Sequence, residues 1–259
     1  MKLIDFMKTA AFIPVRLSST RLPGKALINI CGKPAIQYLI ERVKSVKNLD
    51  GIVICTTTNP SDDKIIEFAR QMKVNIFRGN EVDILDRFKT AALEFKVENI
   101  VNIDGDDILC EPEFIEQTAV ELEKNKFDYI YWKNLPLGTT PIGIKTSALV
   151  KICNEKNTDN TETGWGRFFT QTDLFNVTFL TSNNPELLNS DIRLTLDYPE
   201  DLALFEQILM NLKWPFNLKD VVKLLNDRKD IKDLNKSVKD DYWKFFESKS
   251  AKIKMKKHL

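Results

Sequence analysis

The chain has very little histidine and cysteine, and this excludes several kinds of chemistry. Its only histidine is His258, next to the last residue, so neither a histidine general base nor a histidine-rich metal site is expected. The four cysteines, Cys31, Cys55, Cys110 and Cys153, lie far apart and form no C-x-x-C pair. Neither a zinc site nor a disulfide framework is therefore predicted.

The chain also has almost no net charge and lacks long apolar segments. The 38 basic and 37 acidic side chains give a formal charge of +1, whereas general binders of nucleic acid are usually strongly basic. No apolar run is long enough for a membrane span, and the N-terminal residues lack the apolar region of a signal peptide. We therefore predict a cytoplasmic protein with no membrane span, no nucleic-acid partner and only local anion sites.

Strands and helices alternate in the first half of the chain. Short apolar runs are followed by amphipathic helical patterns, as is typical of a mostly parallel sheet with helices on both faces. The predicted strands of this half are 9–15, 51–57, 74–77 and 98–103. A further strand is predicted over 191–197, before a helix that begins at Pro199. The lysine-rich residues 247–259 are predicted to form a frayed, solvated tail.

A basic loop follows the first predicted strand. The stretch "VRLSSTRLPGK" places Arg16, Arg21 and Lys25 within ten residues. In parallel sheets, ligands bind outside the carboxyl ends of the strands, and each guanidinium group can make two parallel hydrogen bonds to phosphate oxygens. The loop matches neither the P-loop nor G-x-G-x-x-G. We interpret it as a polyphosphate site, with an ordinary solvated loop as the alternative.

Acidic residues are predicted at the same edge of the sheet. Asp104, Asp106 and Asp107 follow the fourth predicted strand, and Asp197 follows a later one. Carboxylates beside a polyphosphate repel it unless a cation lies between them, and Mg²⁺ is commonly held by one or two carboxylates together with phosphate oxygens and water. We therefore predict Mg²⁺ on Asp106 and Asp197. The alternatives are acids in a turn, at a helix N-terminus or at an N-cap.

These motifs resemble those of the cytidylyltransferases that activate acidic sugars, which include CMP-3-deoxy-manno-octulosonate synthetases and spore-coat polysaccharide type proteins. "IPVRLSSTRLPGKAL" resembles their first-loop signature, "VNIDGDD" falls at their Gly-Asp metal motif, and "LTLDYPEDL" is similar to their "TLDTPEDL". "ICTTTNPSDDKII" and "IFRGNEVDILDRF" look like the spore-coat branch. The resemblance covers about residues 9–131 and 190–212. It implies a three-layer α/β/α nucleotidyltransferase fold, Rossmann-like, with a small dimerisation lobe, and hence a homodimer.

The resemblance also implies a reaction and its residues. CMP would be transferred from CTP to an acidic sugar or related acceptor for surface-glycan biosynthesis, with release of pyrophosphate. Arg16, Arg21, Lys25 and Asp106 would be catalytic, and Asp106 and Asp197 would bind Mg²⁺. The implied nucleotide-binding residues are Pro14, Val15, Arg16, Leu17, Ser18, Ser19, Arg21, Lys25, Thr56, Thr57, Thr58, Arg78, Gly79, Asp83, Asp104 and Gly105.

Two departures from the family pattern leave the identity of the acceptor open. Ile108 stands where relatives commonly have a proline, and "TETGWGRFFTQ" stands where spore-coat relatives tend to carry a Glu-His pair. We predict that Arg167 binds an acidic group of the acceptor and that Trp165 packs on its body. The alternative is an aromatic core patch beside a surface arginine.

The predicted organisation is one nucleotidyltransferase domain over 1–259, with a substrate and dimerisation lobe at 132–189 and a helical extension at 213–259.

Two other functions are considered. Asp104-Gly105-Asp106 also matches the D-x-D of a glycosyltransferase that binds a sugar nucleotide through a metal, although such enzymes seldom carry a triple-cation loop. A non-catalytic nucleotide sensor would bind CTP and leave it intact.

Overall fold

The structure, a computed structural model, describes residues 6–188 and 191–256, so His258 lies outside the described residues. Its first half alternates strands and helices as predicted. In chain order the elements are β1 (Met7–Pro14), β2 (Asn29–Ile30), β3 (Lys33–Pro34), α1 (Ala35–Lys44), β4 (Gly51–Thr57), α2 (Asp63–Met72), β5 (Asn75–Gly79), α3 (Ile84–Glu94), β6 (Val97–Asn102) and α4 (Pro112–Glu123).

The second half has shorter strands and more helices. Its elements are β7 (Tyr129–Trp132), β8 (Ile142–Lys145), α5 (Thr146–Glu155), α6 (Arg167–Thr170), β9 (Val177–Leu180), α7 (Pro199–Asn211), α8 (Leu218–Asp227), α9 (Lys229–Lys232) and α10 (Lys239–Lys249). None of the helices in the described ranges has the length and apolar character needed to cross a membrane.

Seven strands form one sheet in the order β5-β4-β1-β6-β8-β7-β9. The pairs among β5, β4, β1 and β6 are all parallel, whereas β8 runs antiparallel to both β6 and β7. β9 pairs with β7 in parallel and lies at the edge. The predicted mostly parallel α/β architecture is confirmed, and the residues of the predicted lobe extend the same sheet through β8 and β9.

Strand β1 lies inside the sheet between β4 and β6, and both of its faces are apolar. Ala10 and Phe12 belong to a cluster that includes Phe88 of α3, while Ala11 and Ile13 belong to a second cluster on the other face with residues of α1 and α4. All four β1 residues are fully buried. A strand covered on both faces reads as a continuous apolar run, which is why this segment was predicted correctly.

The predicted strand over 191–197 is wrong. The described residues of this segment are extended but pair with the rest of the chain at a single bridge, between Leu137 and Arg193. Its backbone partners Leu137 and Asp106 lie in loops outside the strands, so they cannot form a continuous ladder with it. The segment instead makes isolated backbone hydrogen bonds, of which one joins the amide of Leu196 to the carbonyl of Asp106 at 2.9 Å.

The prediction of a frayed tail is also wrong for residues 251–256. Ala251 is buried, and its amide donates a hydrogen bond to the carbonyl of Thr163 at 2.7 Å. Met255 forms an antiparallel bridge with Lys156, directly after α5. Apolar residues interspersed among the lysines pack against the core here, and the lysine-rich composition hid them.

Arg42 joins the C-terminal helices to the sheet domain. This α1 residue is 4% exposed, and its Nε donates to the carbonyl of Cys110 at 2.9 Å while Nη1 donates to the carbonyl of Phe216 at 2.8 Å. Its Nη2 donates to Glu111 Oε2 at 2.8 Å, and the same carboxylate oxygen accepts from the amide of Leu218 at 2.7 Å. One buried guanidinium therefore links α1, α4 and the start of α8.

We predict that Arg42→Met lowers the free energy of unfolding by about 3–5 kcal/mol, because it leaves the Glu111 carboxylate buried without its cation. Urea denaturation followed by circular dichroism measures this change. Arg70→Met, at an exposed position of α2, serves as the control and is expected to change the same free energy by less than about 0.5 kcal/mol. Equal effects of the two variants would contradict the linking role of Arg42.

Candidate active site

The basic loop after β1 and the acidic residues after β6 lie around one cavity of about 1030 Å³. β1 and β6 are parallel neighbours, so their carboxyl ends meet at the same edge of the sheet. This edge is where ligands bind in parallel α/β folds. The sheet topology thus brings together two segments that are about 80 residues apart in sequence.

Asp62 holds the basic loop in place. Its Oδ1 accepts a hydrogen bond from the amide of Leu17 at 2.8 Å, and its Oδ2 accepts from the hydroxyl of Thr57. The Asp62 carboxylate is buried, so these hydrogen bonds satisfy a charge that would otherwise be costly to bury. Sequence reasoning missed this residue because "NPSDD" is typical of acids at a helix N-terminus.

Lys25 lies between the two aspartates that were predicted as metal ligands. Its Nζ donates to Asp106 Oδ2 and also to Asp197 Oδ1, the latter at 2.8 Å. Burial lowers the pKa of Lys25, but the charges of Asp106 and Asp197 raise it more, so the net shift is upward. The ammonium therefore stays protonated, and its single positive charge is shared between the two carboxylates.

Asp197 is surrounded by cations. Besides Lys25, it accepts hydrogen bonds from Arg21 Nη2 and, at 3.1 Å, from Arg193 Nη2. Burial raises the pKa of Asp197, but Lys25 and Arg21 lower it more strongly, so its pKa lies below the usual value. Asp197 is 2% exposed and remains ionised because these partners compensate for its lost hydration.

The three acids after β6 repel one another. The carboxylate oxygens of Asp104, Asp106 and Asp107 lie within 4.8 Å of each other. Burial, reinforced by the charge of Asp106, raises the pKa of Asp104 to about 6 and that of Asp107 well above its usual value. This excess of hard oxygen ligands fits Mg²⁺. A cation that took the place of the Lys25 ammonium would lie within reach of both Asp106 and Asp197.

Gly105 allows the acidic turn to lie directly against the end of β1. Its amide donates to the carbonyl of Pro14 at 3.2 Å. A Cβ at this position would lie 2.6 Å from Val15 Cγ2 and 2.7 Å from the Pro14 oxygen. Only glycine fits without displacing the backbone, which explains why it separates Asp104 from Asp106.

Most of the predicted nucleotide- and metal-binding residues line the cavity. They are Pro14, Val15, Arg16, Ser18, Ser19, Arg21, Lys25, Asp104, Gly105, Asp106 and Asp197. Their individual roles in binding and catalysis stay predictions. Arg16 is the most exposed of the three cations, with its Nε 3.5 Å from Glu162 Oε1.

Seven predicted nucleotide-binding residues do not line the cavity: Leu17, Thr56, Thr57, Thr58, Arg78, Gly79 and Asp83. Several of them have structural contacts instead. Thr57 supports Asp62, Arg78 pairs with Asp63 at 2.8 Å, and Asp83 caps α3 by accepting from the amide of Asp86 at 3.2 Å. The polar groups of Thr57, Arg78 and Asp83 are thus paired within the fold, whereas the buried hydroxyl of Thr56 has no hydrogen-bond partner among the described residues. The nucleotide-binding roles of all seven residues stay predictions.

Trp165 and Arg167 both line the cavity, but each already has partners. Trp165 is 6% exposed and packs edge-on against Phe88, with ring centroids 5.8 Å apart. Arg167 Nη2 donates to Glu247 Oε1 of α10 at 2.5 Å. Trp165 is thus part of the aromatic core, which agrees with the alternative of an aromatic core patch. The substrate roles of Trp165 and Arg167 stay predictions.

Sequence reasoning missed the residues that α10 contributes to the cavity. They are Tyr242, Trp243, Phe245, Phe246 and Lys249. The segment "DYWKFFESK" was interpreted only as part of a helical extension. Its aromatic residues recur at helical spacing, and this pattern could have indicated a helix face that contacts other parts of the protein.

Comparisons with known proteins agree with this geometry. The cytidylyltransferase family model matches residues 10–220. The chain is 33% identical over 240 residues to an uncharacterised protein of Methanocaldococcus jannaschii, a match that covers 90% of this chain and 96% of that protein. It is 35% identical over 121 residues to a 3-deoxy-manno-octulosonate cytidylyltransferase of Geobacter sulfurreducens, covering 46% of this chain and 47% of the enzyme. This second match therefore spans about half of the enzyme's length.

A solved structure shows the same fold. The structure of a cytidylyltransferase from Leptospira borgpetersenii superposes with a TM-score of 0.79 at 23% identity, covering 87% of this chain and 97% of that one. The family model matches most of the chain and includes the basic loop, the acidic turn and Asp197. The chain therefore belongs to the cytidylyltransferase family and is a CTP-dependent nucleotidyltransferase.

Proposed function

We propose that the protein is a Mg²⁺-dependent cytidylyltransferase that transfers CMP from CTP to an acidic sugar or a related acceptor for surface-glycan biosynthesis. The observation that carries this proposal is the meeting of Arg21 and Lys25 with Asp106 and Asp197 in one cavity. The cavity brings together phosphate-binding cations and oxygen ligands for a metal. The acidic-sugar acceptor is suggested by the 3-deoxy-manno-octulosonate cytidylyltransferase among the relatives.

The residues of the cavity have two proposed roles, phosphate binding and metal binding. Arg16, Arg21 and Lys25 bind the triphosphate oxygens, and Asp106 and Asp197 hold the metal. Bound there, Mg²⁺ would neutralise charge that develops on the α-phosphate. Lys25 can turn from the carboxylates towards the phosphates, because the triphosphate offers it an alternative anionic partner.

The transfer is a single displacement at phosphorus. An acceptor oxygen forms a bond to the α-phosphorus while the bond from that phosphorus to the bridging oxygen breaks. Pyrophosphate departs with the electron pair, and the acceptor hydroxyl loses its proton to water. Arg21 and Lys25 stabilise the charge on the leaving group once they contact the phosphates.

The other two functions predict different chemistry. A glycosyltransferase would consume a sugar nucleotide rather than free CTP, and a sensor would leave CTP intact. Three cations on one loop favour a free triphosphate over a diphosphate. The homodimer implied by the resemblance and the cytoplasmic location predicted from the sequence are kept as part of this proposal.

We predict that the protein releases pyrophosphate from CTP when it is offered acidic sugars and Mg²⁺, and that Asp106→Asn lowers turnover about 100-fold or more, since one metal ligand loses its charge. A coupled pyrophosphate assay across a panel of acidic sugars measures both effects.

Asp227→Asn, at an exposed position at the end of α8, is the matched control and should retain turnover. Circular dichroism should show that both variants are folded. Full turnover of Asp106→Asn, or an absence of CTP-dependent pyrophosphate release with every sugar tested, would contradict the proposal.

We also predict that Lys25→Met binds Mn²⁺ about tenfold more tightly than the wild type in the absence of nucleotide, because the competing ammonium is gone from Asp106 and Asp197. The same variant should bind CTP more weakly, since a phosphate-binding cation is lost. Electron paramagnetic resonance titration of free Mn²⁺ measures the first effect, and calorimetry measures the second.

The control for this pair of measurements is Lys33→Met, which removes a lysine that is paired with Glu41 outside the cavity. Its Mn²⁺ and CTP affinities should equal those of the wild type. Unchanged Mn²⁺ binding in Lys25→Met would show that Lys25 does not compete with a metal at these carboxylates.

A further inference from the structure

Helix α10 lies over the cavity and is anchored at its two ends to different parts of the molecule. Before α10, the side-chain amide of Asn235 donates to the carbonyl of Arg193 at 3.1 Å and to Asp201 Oδ1 at 2.8 Å. After α10, the amide of Ala251 donates to the carbonyl of Thr163 at 2.7 Å. None of the α10 residues is buried, so this helix is not part of the core.

Gly164 explains why the end of α10 can lie so close to the segment 161–171. A Cβ on Gly164 would lie 2.7 Å from Ser250 Oγ, and the residue has a left-handed backbone conformation with φ of +72°. The glycine of the "TGWG" stretch thus makes room for the C-terminal end of the helix. α10 lies beyond residues 10–220, so the match to the family model says nothing about its role.

Two aromatic side chains of α10 contact the two arginines that donate to Asp197. The Phe245 ring centroid lies 4.0 Å from Arg21 Cζ, and the Tyr242 ring centroid lies 4.1 Å from Arg193 Cζ. A guanidinium at this distance from an aromatic face is attracted by the ring quadrupole. α10 therefore lines the cavity and also contacts two of the cations that neutralise Asp197.

The two terminal nitrogens of the Arg21 guanidinium differ in their hydrogen bonding. Nη2 donates to Asp197, whereas Nη1 is buried and has no hydrogen-bond partner among the described residues. A buried N–H without a partner is costly, and a phosphate oxygen is the natural acceptor for the second arm of an arginine fork.

We propose that Phe245 is a positioning residue that holds the Arg21 guanidinium by a cation–π contact, so that Nη1 is directed towards the phosphates of the nucleotide. This inference rests on the proposed function, in which Arg21 binds phosphate. An arginine restrained before binding loses less side-chain entropy when the phosphate arrives. Phe245 lines the cavity, but in this proposal it acts through Arg21 and not through a contact with the nucleotide.

A double-mutant cycle on the full-length protein tests this inference, with Mg²⁺-pyrophosphate as the probe and calorimetry as the measurement. Phe245→Leu keeps an apolar side chain but loses the aromatic face, so pyrophosphate binding should weaken about fivefold. Phe245→Tyr restores the face and should bind within about twofold of the wild type. In an Arg21→Met background, Phe245→Leu should have no further effect.

Phe179→Leu is the matched control, because Lys133 Nζ lies 3.9 Å from the Phe179 ring centroid in a pair outside the cavity lining. It should leave pyrophosphate binding unchanged. A fivefold loss that persists in the Arg21→Met background would show that Phe245 contacts the ligand or supports the fold, and would overturn the inference. Wild-type binding by Phe245→Leu would overturn it as well.

The cycle also separates this inference from the function on which it rests. If Arg21→Met alone binds pyrophosphate as the wild type does, the phosphate-binding role of Arg21 is wrong and the role of Phe245 is wrong with it. If Arg21→Met weakens binding while Phe245→Leu does not, the proposed function stands and only the positioning role of Phe245 is lost.

Discussion

The neutralisation of clustered carboxylates by cations from the first loop is the interaction on which the rest of the site depends. Four aspartates converge at one edge of the sheet, and such a cluster would be strongly destabilising without positive partners. Lys25 contacts both Asp106 and Asp197, and Arg21 and Arg193 contact Asp197. These cations occupy the positions closest to the acids.

In the proposed function, this arrangement would link the binding of phosphate to the release of the acids. A triphosphate would attract Lys25 and Arg21, and a divalent cation would take their place beside the carboxylates. Binding both ions together would leave less uncompensated charge in the site than binding either ion alone. The near-neutral composition of the whole chain is consistent with this local pairing, since the strong charges of the site cancel each other.

The parallel half of the sheet, the basic loop after β1 and the acidic residues after β6 could be predicted from the sequence. Strands such as β1 are buried on both faces, so they appear as continuous apolar runs, and polar residues that follow such runs fall at the ligand-binding edge. Asp197 was predicted at the end of a strand that does not exist. It still reaches the cavity, because the Leu196 amide is hydrogen-bonded to the Asp106 carbonyl at 2.9 Å.

The sequence by itself determined the local elements and the kinds of side chain at their ends: the cations after β1, the acids after β6 and the family to which they belong. Only the tertiary structure decided that Lys25 pairs with both aspartates, that Asp62 supports the loop, and that α10 covers the cavity with its aromatic residues. The reason is physical. Helix and strand periodicity depends on neighbours a few residues apart, whereas the contact of Phe245 with Arg21 joins residues more than 200 positions apart and depends on how the whole chain packs.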